Sequence, residues 1–171
     1  MLTTSATAPV AENRRHAQKP LPKVRLATPD EIEEVLAMGR ELHAENGLTD
    51  LDEVAIRQAV EGAILHGQGV AAVIGRNPIE AGIFLGLRHY WYSSQMHLEE
   101  MLAFVRPQFR KSDNAKALLE FAKEAAVKLG VPLLIGIVSN DRTKQKIRLY
   151  QRRLGEPAGA YFLYNAKTGH R

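Results

Sequence analysis

Leu98-Glu-Glu-Met-Leu-Ala-Phe-Val-Arg-Pro-Gln-Phe-Arg-Lys-Ser-Asp-Asn-Ala-Lys-Ala-Leu-Leu119 is the stretch whose reading decides the fold. It predicts an apolar strand that stops at Pro107, a short basic loop, and a helix starting near Asp113 or Asn114. A strand–loop–helix junction of this kind presents unpaired backbone N–H groups at the helix N-terminus. With Arg110 and Lys111 alongside, it suits a phosphate or pyrophosphate. A plain helix cap built from Ser112, Asp113 and Asn114 would look the same from sequence.

Downstream of the junction, Ala115, Leu118, Leu119, Ala122, Ala126 and Leu129 recur at helical spacing, and Gly130 and Pro132 end that helix. Leu133–Val138 is continuously apolar, which predicts a central parallel strand covered on both sides. A helix over about 141–154 and a final strand Ala160–Tyr164 follow. Upstream, the pattern predicts strands at Lys23–Ala27, Val70–Ile74 and Ile79–Leu87, then a polar aromatic loop Arg88–Gln95 before the strand His97–Val105. Thr28-Pro-Asp-Glu31 has the form of a capping box with proline at the first helical position. Ile32, Val35, Leu36, Gly39 and Leu42 carry that helix as far as Asn46-Gly47. Asp50-Leu-Asp-Glu53 starts a second helix, with Val54, Ala59, Val60, Ala63 and Ile64 apolar.

The element order is then β-α-α-β-β-β-α-β-α-β, an α/β (α+β) domain with a mixed, largely antiparallel sheet flanked by helices. A second landmark is Ile147-Arg-Leu-Tyr-Gln-Arg-Arg-Leu-Gly155, about 40 residues after the first. Val-x-Pro-x-x-Arg leading into Ala-x-x-Leu-Leu, followed by Leu-Tyr-x-x-x-Leu-Gly, resembles the two signatures of the GNAT superfamily of acyl-CoA N-acyltransferases. The resemblance runs from Lys23 to about Asn165.

That resemblance implies acetyl-CoA, or a short acyl-CoA, as acyl donor and a small-molecule or peptide primary amine as acceptor, joined by direct attack without a covalent enzyme intermediate. In the family loop Gln/Arg-x-x-Gly-x-Gly/Ala, Arg110 takes the first position and Ala115 the last, with Lys111, Ser112, Asp113 and Asn114 between them. Asp113 stands where the family has glycine, adding a side chain and a negative charge near an anionic ligand, unless it caps the helix and turns away. Backbone groups of Phe104 and Val105 would meet the pantetheine arm. Tyr150 matches the tyrosine that protonates the leaving thiolate or lines the sulfur site. A phenol near pKa 10 can serve a thiolate near 8.5. Packing with Ile147 and Leu154 is the alternative. Glu99 lies where some members place a general base, on the strand face opposite Glu100, with His97 in reserve. Asn140 is a further cofactor candidate, although the family asparagine falls at Thr143.

Composition limits the rest. A chain of 171 residues is one domain's worth, here divided into a flexible extension, 1–22, and a folded domain, 23–171. Without cysteine there is no disulfide or thiolate chemistry, and the histidines show no metal spacing. No apolar run reaches the roughly 20 residues of a membrane span, and Met1–Ala11 lacks the pattern of a secretory leader, so a cytoplasmic protein is expected. The +4 charge collects in the tail and the late helix, so a nucleic-acid-binding protein ranks below an inactive CoA-binding module as the alternative. Acidic residues Glu41, Glu45, Asp50 and Asp52 would suit a cationic acceptor, or simply face water. Tyr90-Trp91-Tyr92 would line a site, cover an edge or meet a second subunit in a homodimer.

Overall fold

The computed structural model describes residues 20–137 and 143–160. Asn140, most of the expected extension, and all of the expected last strand except Ala160 lie outside these residues. The described sheet has the order β1-β2-β3-β4-β5, with β1 Arg25–Leu26, β2 Gly69–Gly75, β3 Ile79–His89, β4 Met96–Val105 and β5 Leu133–Leu134. The first four strands are antiparallel and β5 runs parallel to β4. Four helices flank the sheet: α1 Ile32–Asn46, α2 Glu53–Leu65, α3 Asn114–Leu129 and α4 Thr143–Leu154. This is the mixed, largely antiparallel architecture expected from the sequence.

Alternation along β2 sorts its side chains into two cores. Ala72 and Ile74 join Ile83, Leu85 and Leu98 against Leu118, Ala122 and Ala126 of α3. Ala71 and Val73 join Phe84 and Phe104 against Val35, Leu36 and Met38 of α1 and Val60 of α2. Burying a side chain such as Leu118 contributes about 1.5–3 kcal/mol, so the two layers hold the sheet from both sides.

The doubly covered strands are therefore β2 and β3. The expectation of a central strand at Leu133–Val138 needs correcting: its described part pairs for only two residues and stays half-buried. The physical reason is that it diverges from β4. Pairing is confined to Leu98–Leu133 and Glu99–Leu134, after which β4 continues to Val105 without it.

Helix ends largely follow their local chemistry. The Glu31 carboxylate accepts from the N–H and hydroxyl of Thr28 at 3.0 and 2.9 Å, in the short 3-10 turn Pro29–Glu31 that leads into α1. Asp52 caps α2 by accepting from the N–H groups of Val54 and Ala55 at 2.9 and 3.0 Å. Val54, read as apolar-face, instead stands exposed in the first turn. Gly130 closes α3 in the left-handed conformation, φ 67°, which glycine adopts without a Cβ penalty.

Candidate functional site

Where β4 parts from β5, the structure holds two adjoining cavities. One, of about 260 Å³, is bounded by Phe104 and Val105 of β4, Arg110 and Ser112 of the loop, Ala115 of α3 and Leu149 of α4. The other, of about 400 Å³, lies against Met38 and Leu42 of α1 and Ile56 and Ala59 of α2. Tyr150, Lys146, Ala103 and Asn46 line both, so the two form successive parts of one cleft that meet at Tyr150.

The loop that begins the smaller cavity is built by Pro107. A 3-10 turn at Pro107–Phe109 ends β4, and the Ser112 hydroxyl donates to the Phe109 carbonyl at 2.6 Å while accepting from the Asn114 N–H at 3.2 Å. Asp113 precedes α3 but makes no capping bond, so the expectation that it caps the helix fails. Its backbone, φ −84° and ψ 12°, lies outside the extended region that lets a capping side chain fold back. Asp113 and Lys111 are exposed and line neither cavity. Asn114 is fully buried, and its amide donates to Glu80 at 3.1 Å, so it anchors α3 to the sheet. Arg110 faces the smaller cavity but is already engaged. Its Nη2 meets both Glu45 oxygens at 2.6 and 2.7 Å, its Nε donates to the Val105 carbonyl at 2.9 Å, and its guanidinium lies 5.4 Å from the Phe104 ring centroid.

Two residues matter here that the sequence reading did not favour. Arg106, inside the Val-x-Pro motif, is buried and reaches Glu41 at 3.0 Å, Glu34 at 3.1 Å and the Ile79 carbonyl at 2.8 Å. It fastens α1 across the end of β4. A basic residue at the end of an apolar strand gave no hint of this burial.

Glu100 is the other. Glu99 pairs with Gly86 and Leu134 and lines neither cavity, whereas Glu100 lines the larger one with Tyr150 and Lys146. A bulge lies beside Glu100. Phe84 pairs with Leu102 and Leu85 with Glu100, leaving Met101 as an extra residue on β4. Bulges re-aim neighbouring side chains, and none is visible to a period-two reading. Burial raises the Glu100 carboxyl to about 7, against a smaller opposing pull from Lys146. One of its oxygens is buried without a hydrogen-bond partner. Burial, and then the nearby Glu100 charge, push the Tyr150 phenol well above its ordinary value, so it keeps its proton at neutral pH.

His97, the reserve base, is buried under Tyr90, with ring centroids 4.5 Å apart, and lines neither cavity. Tyr90 stacks on Tyr92, and Trp91 stands 93% exposed, so this aromatic group also lies apart from the cleft. Among the described residues no group of His, Asp or Glu could hold a metal ion, and no helix is long and apolar enough to cross a membrane.

No protein-family model matches the chain, and no curated protein matches it. Solved structures do. An integron cassette protein from the mobile metagenome of Cole Harbour Salt Marsh is 22% identical with a TM-score of 0.65, over 84% of this chain and 90% of that one. AAC(6')-Iy, in complex with the bisubstrate analogue CoA-S-monomethyl-acetylneamine, is 15% identical with a TM-score of 0.66, over 85% and 97%. The aminoglycoside acetyltransferase meta-AAC0020 from an uncultured soil metagenomic sample, in complex with trehalose, is 13% identical with a TM-score of 0.62, over 85% and 96%. Sequence identity this low carries fold and no further, and the fold of this chain is that of the GNAT acetyltransferases.

Proposed function

We propose that the protein is an acyl-CoA-dependent N-acyltransferase that acetylates a primary amine. The observation that carries this reading is the meeting of two cavities at Tyr150, one bordered by a helix N-terminus and the other by a carboxyl tuned near neutrality. The smaller cavity fits a pantetheine arm, since β4 has lost its neighbour there, and its Phe104–Val105 edge leads to the Arg110–Ala115 loop. The first turn of α3, left uncapped by Asp113, suits the pyrophosphate.

In this reading the larger cavity admits the amine. A protonated amine gives its proton to the Glu100 carboxylate, the nitrogen forms a bond to the thioester carbonyl carbon, and the C–S bond breaks. Tyr150 supplies a proton to the leaving thiolate sulfur and is reprotonated by the second proton that the nitrogen sheds as the amide forms. Positioning of the two reactants in one cleft provides most of the acceleration. Lys111, Asp113 and Asn114 contribute backbone groups at most, and Glu99 has no part in the proton transfers.

Thermal unfolding with acetyl-CoA, with desulfo-CoA and ATP as controls, tests donor binding. Ligand at a hundred times its dissociation constant adds about 2.7 kcal/mol, a shift of several degrees for a domain of this size. Thiol release over an amine panel tests transfer. A CoA-specific shift with no amine acetylated would make the chain a CoA-binding module, and no shift at millimolar ligand would overturn the reading altogether.

A further inference from the structure

We infer that the acceptor is a primary monoamine carried on an apolar body, not a polycation; the inference rests on the transferase reading of the same cleft. Four walls of the larger cavity come from Met38, Leu42, Ile56 and Phe84, and at about 400 Å³ it has the capacity of a small-molecule site. Among the described residues lining it, Glu100 is the sole carboxylate, and Lys146 stands beside it with the opposite charge. Its other ionisable lining groups are Tyr150 and His43, and His43 Nε2 already meets the Thr49 carbonyl at 2.7 Å.

A polyamine or aminoglycoside brings several ammonium groups, and each one desolvated without a carboxylate is costly. The acidic residues around the α1–α2 turn do not supply that need: none of Glu41, Glu45, Asp50 and Asp52 lines this cavity, and Asp50 is exposed. Glu41 is held by Arg106, Glu45 by Arg110, and Asp52 by the N-terminus of α2. Lys146 would repel a second cation directly. A single amine fits this chemistry differently: its one proton goes to Glu100, its nitrogen lies at the Tyr150 junction, and its hydrocarbon body displaces water from the α1–α2 walls. Relatives of this fold that handle aminoglycosides therefore share the scaffold while this cleft selects a different acceptor class.

The test is calorimetric titration of the full chain with hexylamine, phenethylamine, spermine and tobramycin, in parallel with acetyl transfer from acetyl-CoA to each. The expected result is at least tenfold tighter binding of both monoamines. Leu42→Glu, which puts a second carboxylate in the wall, should weaken hexylamine and strengthen spermine. Equal or tighter binding of spermine or tobramycin by the unaltered protein overturns the inference, as does failure of all four to bind. Acetylation of spermine alone would sink the inference and leave the transferase reading standing. Selective monoamine binding without any transfer would uphold the inference about the cavity and remove the transferase reading.

Discussion

The carboxylate of Glu45, at the last turn of α1, grips the guanidinium of Arg110 at 2.6 and 2.7 Å at the edge of the smaller cavity. An anionic ligand entering the α3 N-terminus must compete with that carboxylate for Arg110. Glu45→Gln should therefore tighten acetyl-CoA binding severalfold and steepen its dependence on salt, while Arg110→Ala weakens it. Direct titration of acetyl-CoA at two ionic strengths decides; weaker binding by Glu45→Gln would show that the pair organises the loop for the ligand.

Tyr150→Phe should lower kcat by about 100-fold while leaving the acetyl-CoA dissociation constant within a few-fold, because the phenol acts on the departing sulfur. The rate should rise with pH through about 7 as Glu100 ionises and then level off. Glu100→Gln should abolish that rise, and Glu99→Gln should preserve it. A pH–rate profile unchanged in Glu100→Gln would remove Glu100 from the mechanism.

Glu100 and Glu31 should move stability in opposite directions with pH. Burial holds the folded-state Glu100 carboxyl at about 7, above its unfolded value, so its contribution is fully present below about 4.5 and is lost as pH rises through 7. Hydrogen bonds from Arg25 and then Thr28 hold Glu31 at about 2, so its contribution is present above about 4.5 and is lost as pH falls towards 2. Chemical denaturation between pH 2 and 8 should show Glu31→Gln costing roughly 2–3 kcal/mol at pH 7 and almost nothing at pH 2.

Arg106→Ala should cost about 1.5–3 kcal/mol, because it removes the charge-assisted hydrogen bonds to Glu34 and Glu41 that tie α1 to the end of β4. Adding Glu34→Gln and Glu41→Gln to that variant should restore part of the loss. Urea unfolding of the single and triple variants measures the difference; a triple variant no more stable than the single would mean that packing, not charge, dominates.

Gly69→Ala should cost about 1–3 kcal/mol, since its Cβ would run into the Leu85 carbonyl oxygen on the neighbouring strand, where backbone must shift. A neutral outcome in urea unfolding would mean that β2 and β3 can part there.

Local signals in the sequence were strong where one element decides its own shape. Helical spacing from Asn114 to Leu129 and Gly130 as its stop have short-range causes, and each appears in the structure, whereas the cap of α2 is Asp52 and not the first residue of Asp50-Leu-Asp-Glu53. Phe104, Val105, Arg110, Ser112, Ala115 and Tyr150 are also legible as candidates in the sequence, and they line one cavity together. What escaped depends on partners distant in sequence. Arg106 is buried only because α1 brings Glu34 and Glu41 to it, and Asn114 points inward because Glu80 awaits it. The apolar run from Leu133 looked covered on both sides because composition does not reveal burial: its described part is only half-buried and meets β4 at two positions.

The unmatched Met101 makes β4 two short strands in opposite phase. On one side of it, Leu98 and Glu100 lie opposite Leu87 and Leu85; on the other, Leu102 and Phe104 lie opposite Phe84 and Gly82. Inward and outward positions therefore trade places along a strand that looks continuous in sequence. Chemistry and packing are thereby written in separate frames: the half that carries Glu100 can change its polar residues without disturbing the rows that Leu102 and Phe104 pack against α1. A chain of this fold one residue shorter at Met101 would keep Glu100 opposite Leu85 and Leu102 opposite Phe84, so the extra residue can be gained or lost without moving the acid from its partner.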